Sequence, residues 1–215
     1  MNKRYFKIIL LILLGALLGV ASSLADKLPT GSPFFVVGGF LNTASVWSIS
    51  AFIVGSRFRS RINSVAMPII FLAFSVSAYY ITGFALNTIV DVPVITIVAT
   101  YISWVFIAIL VGALCGLAGM SAKYSRDIKK RMIAIVIPMV IILIESVISV
   151  IQLLPYLSAN NNNYIPFGVL TALALIALSI PFFIYNNKRI AFYNMVLGLL
   201  LSIVGALILM ALSTV

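Results

Sequence analysis

Glu145 is the residue in this sequence best placed to do chemistry. It lies near the centre of an apolar run from Met132 to Leu154 and is the only charged side chain within any such run. An ionised carboxylate in hydrocarbon costs several kcal/mol, so Glu145 must face other helices, find a donor or stay protonated. Pro138, Glu145 and Gln152 recur at intervals of seven, and Ser149 follows one turn after Glu145, so the four share one helix face. Pro138 also removes an intrahelical donor and can bend the helix beside this polar stripe. Two roles fit the face: binding a proton or cationic substrate on a pathway, or hydrogen-bonding neighbouring helices to fix their packing. The candidate partners are Asn42 and Ser45, then Tyr79, Tyr80 and Thr82, then Thr96, Thr100 and Ser103.

Other chemistries lack their residues. Histidine is absent, which removes Ser-His-Asp catalysis, histidine-ligated zinc and histidine-ligated haem. Cys115 is the single cysteine, so neither an intramolecular disulfide nor a cysteine metal cluster can form, and its place between Gly112 and Gly116 marks it as a small packing residue. The four carboxylates, Asp26, Asp91, Asp127 and Glu145, fall in different segments, which excludes paired aspartates in a membrane and clustered acids around magnesium. Ser22 or Ser23 with Lys27 is the one conceivable Ser-Lys pair, but Lys27 at a span end most simply snorkels. The expectation is a protein that is not an enzyme and uses no metal or cofactor.

The elements that position these residues are membrane helices. Of 215 residues, 63% are hydrophobic and 8% charged, and mean hydropathy is +1.23, too little polar surface to cover a water-soluble core. Seven apolar windows reach spanning length: Ile8 to Leu24, Phe34 to Ser56, Ser64 to Phe84, Val92 to Met120, Met132 to Leu154, Phe167 to Tyr185 and Ile190 to Leu212. The second carries Gly38, Gly39, Asn42 and Thr43 early, so its later part is the better spanning segment. Continuous apolar runs rule out the alternating strands of a β-barrel. The expected fold is all-α, a single polytopic bundle over residues 1–215 with about seven transmembrane helices.

Basic residues orient the bundle. All but Lys27 of the fourteen Lys and Arg lie before the first window or after the second, fourth and sixth. The positive-inside rule then puts the N-terminus in the cytoplasm and the C-terminus outside. These short basic loops lack the stacking surface of a nucleic-acid module and rest on the lipid bilayer. Asp127 stands four residues from both Lys123 and Arg131, so a helical extension there would carry exposed ion pairs of little energetic weight. Lys3, Arg4 and Lys7 followed by an apolar run and Ser23-Leu24-Ala25 also read as a cleavable secretory signal, which would leave six spans. Against cleavage stands the small-residue face Gly15, Gly19 and Ser23, suited to close helix contact. Ala44, Ser48, Ala51 and Gly55 form a second such face, and Ala108, Gly112, Gly116 and Gly119 a third. Residues 12–21 echo residues 109–118, as an inverted three-plus-three repeat would. Asn42, Tyr79, Tyr80, Thr100 and Gln152 gather toward the outer half, where a pocket or interfacial anchoring by tyrosine explains them.

Over Gly38 to Trp47, Ala51-Phe52, Tyr79-Tyr80, Gly112 to Gly119 and Glu145, the chain resembles a group of uncharacterised bacterial multi-pass membrane proteins defined by a domain of unknown function. The resemblance implies a bacterial cell membrane and no particular activity. In size, basic loops and the Gly15, Gly19, Ser23 spacing it is also similar to the substrate-binding subunits of energy-coupling-factor vitamin transporters, which have six spans. The expected function is binding or transport of a small molecule or ion through a pocket near Glu145, lined by Ser149, Gln152, Asn42, Tyr79, Tyr80 and Thr100. The alternative is a structural or accessory subunit that docks a membrane partner through its small-residue faces.

Overall fold

A computed structural model describes residues 3–28, 41–86, 93–157 and 188–213, and the side chains of these except 3–4, 149–157 and 206–213. Among the described residues the regular elements are helices: α1 (Lys3–Ala25), α2 (Ala44–Gly55), α3 (Arg61–Ala85), α4 (Val94–Tyr124), α5 (Ile128–Leu157) and α6 (Lys188–Ser213). Five of them are long and apolar enough to cross a membrane. The 12 residues of α2 rise only about 18 Å, short of the roughly 30 Å hydrocarbon core. This is the fold of a helical multi-pass membrane protein. Windows Phe167 to Tyr185 and the start of Phe34 to Ser56, with Gly38 and Gly39, lie outside the described residues.

The chain divides into two compact units. Unit one comprises Met1–Asn42 with Val46–Tyr124, and unit two comprises Thr43–Ser45 with Ser125–Val215.

In unit one α1 and α3 lie side by side and run the same way. Ser75 Oγ donates to Gly15 O at 2.8 Å, and Tyr79 OH donates to Asp26 Oδ2 at 2.5 Å, so the paired positions climb together. Against α3, α4 runs in reverse: Ser64 Oγ meets Met120 Sδ at 3.4 Å, and Ser77 meets the Tyr101 hydroxyl at 3.0 Å. α2 lies along α4 with Trp47 near Trp104 and Gly55 near Gly116.

Glycine makes these approaches close. A Cβ on Gly15 or Gly19 would fall on the α3 backbone at Phe71 or Ser75, and one on Gly112 would come within 3.0 Å of Ile69 Cα. A Cβ on Gly116 would collide with Ser64 O and lie 2.8 Å from Pro68 Cγ. Pro68 has no N–H, so Ser64 O loses its usual donor four residues on, and the Cα–H of Gly116 faces that oxygen instead. With no hydrophobic drive between helices in lipid, such backbone contact is what holds spans together. The echoing runs 12–21 and 109–118 therefore play the same part, since each lays two glycines on α3.

Within unit one the basic stretches share an end. Arg59, just after α2, places its guanidinium 5.4 Å from the centroid of the Tyr124 ring at the close of α4. The parallel course of α1 and α3 puts Lys7 at the end where Arg61 begins α3. Asp26 and Lys27 lie at the other end, where Lys27 Nζ donates to Leu86 O at 2.7 Å.

In unit two α5 and α6 are also parallel neighbours. Asn194 Nδ2 donates to Met132 O at 3.3 Å, and Gly198 sits against Met139 and Gly205 against Ile144. Ala134, Ile135, Met139, Ile142 and Leu143 are buried on α5. Asp127 precedes α5, and its Oδ1 accepts from Lys129 N at 2.9 Å. The carboxylate is an N-cap, so Asp127 opens a new helix, and the unbroken helical extension running from Lys123 through Arg131 does not form.

Candidate functional site

Glu145 projects from the middle of α5 and, within unit two, meets Ala44 and Ser45, the two residues that begin α2. Its Oε1 accepts from Ala44 N at 2.8 Å; its Oε2 accepts from Ser45 N at 2.8 Å and from the Ser45 hydroxyl. The first N–H groups of any helix lack intrahelical partners, and their aligned dipoles favour a negative group there. A carboxylate from a distant helix thus does what a local Asp or Ser does at most helix starts. Ser45 is 1% exposed, whereas Glu145 is half-buried.

A second polar cluster forms at the Asp26 end of unit one. Asp26 accepts from Tyr79 through one oxygen and from Asn42 Nδ2 through the other, and Asn42 also donates to Ser22 O at 3.1 Å. The Tyr79, Tyr80 and Tyr101 rings follow in a row, meeting edge to face at 5.4 and 5.5 Å. Tyr79→Phe is expected to lower thermal stability by about 1 kcal/mol, the usual worth of one hydrogen bond, read as a shift in detergent unfolding monitored by circular dichroism.

The candidate residues therefore divide. Ser45 joins Glu145; Asn42 and Tyr79 join Asp26, and Tyr80 stacks beside them. Thr100 is exposed and donates to its own helix at Thr96 O, 2.8 Å away, as Ser103 does to Ala99 O. Ser149 and Gln152 continue α5, but their side chains lie outside the described residues. Ser22 donates to Leu41 O while Lys27 bonds to Leu86 O, so no Ser-Lys pair is assembled. Gly15, Gly19, Ser22 and Ser23 of α1 are buried, making that helix a packed member of unit one.

Two partners were harder to foresee. Asp26 sits in a loop by sequence, and only the parallel course of α1 and α3 brings Tyr79 to it. Asn194, fully buried on α6, ties that helix to α5, and its position inside an apolar window was its one signal. Cys115 is fully buried beside α2, in keeping with a packing role. No group of three or more His, Cys, Asp or Glu able to hold a metal occurs among the described residues.

No curated protein and no solved structure matches the chain. A family model matches it over residues 1–215, and the chain belongs to that family, DUF6518, a family of unknown function.

Proposed function

We propose that this protein is a non-catalytic membrane protein that binds or moves a small molecule or ion, with Glu145 as the polar centre of its path. The observation that carries the reading is the pairing of a carboxylate in mid-span with the start of α2, a helix too short to span. Half-length helices whose N-termini meet an anion inside the membrane are a recurring means of building transport sites. In this reading the chain has seven spans in a bacterial cell membrane, with its N-terminus in the cytoplasm and its C-terminus outside. Parallel neighbours α1 and α3 support it, as does the shared end of Arg59 and Lys123.

A second reading has its own support. The Glu145 oxygens already take three donors from Ala44 and Ser45, which suits an internal post in a structural or accessory subunit. The Gly15, Gly19, Gly112 and Gly116 faces that would dock a partner are occupied by α3.

Glu145→Gln separates the two. Under the transport reading, protein purified in mild detergent carries a small molecule detectable by native mass spectrometry, and the variant loses it at nearly unchanged yield. Parallel loss of yield and ligand, or a stoichiometric protein partner in place of a ligand, favours the structural reading.

A further inference from the structure

We propose that the basic end of unit one is a binding site for the phosphate of an anionic phospholipid headgroup, held by Arg59 and Lys123 over Tyr124. The two cations come from different elements, Arg59 from the turn after α2 and Lys123 from the last turn of α4. Each lies 5.4 Å from the centroid of the same ring. Both are exposed, as are Arg57 and Arg61, while Tyr124 is half-buried. The one carboxylate among the described residues of unit one, Asp26, lies at the opposite end with Asn42 and Tyr79.

Like charges gathered at an end of unit one where none of its described residues supplies a carboxylate call for an external anion. The tyrosine ring steadies both cations through its π face and leaves their N–H groups free to donate. A guanidinium takes two phosphate oxygens in a fork, and an ammonium adds a point charge beside it. The helix ends place the group where a bilayer presents its phosphates, and basic residues at that depth are drawn to anionic lipid. The lipid diester, tethered at the same level as the site, is the source the geometry favours over free phosphate.

The test uses the full chain in mild detergent with equimolar phosphatidylglycerol and phosphatidylcholine, read by native mass spectrometry. The wild type is expected to retain phosphatidylglycerol preferentially. Arg59→Gln should weaken retention about fivefold and the Arg59→Gln/Lys123→Gln pair about thirtyfold, from the usual net worth of one hydrogen bond to the phosphate for each side chain removed. Lys129→Gln/Lys130→Gln removes equal charge from the first turn of α5 and should leave retention unchanged. Equal retention by the Arg59/Lys123 pair overturns the proposal, and so does equal loss in the Lys129/Lys130 control. Displacement of the lipid by millimolar inorganic phosphate also overturns it, since the site would then be one for a free anion. All four side chains are exposed, and circular dichroism of each variant confirms that the fold is intact.

Discussion

Gly116→Leu is expected to abolish folded protein. Gly116 is pressed from two sides: a Cβ there would overlap Ser64 O of α3 and would also face the Pro68 ring, while the Cβ of any residue at Gly55 would fall on the Gly116 backbone. None of these obstacles is the free end of a flexible side chain, since the Pro68 ring cannot swing. Relief therefore requires α3 or α2 to move off α4. Overpacking a tight core costs about 1–3 kcal/mol where neighbours can yield, and more where they cannot. Gly116→Ala should cost about 3 kcal/mol, and leucine should exceed the few kcal/mol by which a domain is stable. Monodisperse yield by size-exclusion chromatography measures both. Normal yield of the leucine variant would mean that α3 and α4 are not in backbone contact. Leu114→Ala, on the exposed side of α4, should leave yield unchanged.

Glu145→Ala is expected to lower stability by about 3 kcal/mol, against about 1 kcal/mol for Glu145→Gln. Alanine leaves the N–H groups of Ala44 and Ser45 without the carboxylate that accepts from them, and Ser45 is buried, so its N–H has little access to water. Glutamine keeps one oxygen for Ala44 N, and the Ser45 hydroxyl can turn to accept from the new amide. Only Ser45 N is then left unpaired. Denaturant titration in detergent, followed by circular dichroism, gives both values. Equal losses in the two variants would show that the charge itself, and not acceptor geometry, holds α2.

The five long helices were legible in the sequence because the membrane imposes one requirement on every span, an apolar run of sufficient length. The small-residue faces were legible for a similar reason: Gly15, Gly19, Gly112 and Gly116 recur at the spacing of one helix side. Partner choice was not. Ser45 and Asn42 are three residues apart and equally polar, yet Ser45 meets Glu145 and Asn42 meets Asp26. The difference depends on where α2 begins, and the carboxylate that meets that start lies 100 residues away in the sequence. Asp127 shows the same limit at short range. Its spacing from Lys123 and Arg131 fits an unbroken helix as well as it fits a cap, and the turn at Ser125 decides between them.

The parallel pairing of α1 with α3 has a consequence for biosynthesis. Gly15 and Ser75 are 60 residues apart, so a ribosome adding 5–20 residues per second needs roughly 3–12 s to deliver the mate of the first helix. On the membrane reading, α1 would stand in the bilayer through that interval with its glycine groove turned to acyl chains, although Ser22 meets Leu41 O only 19 residues later in the sequence. Release from the insertion machinery before α3 emerges would leave that groove unfilled, so the order of synthesis would favour a holding step at the membrane.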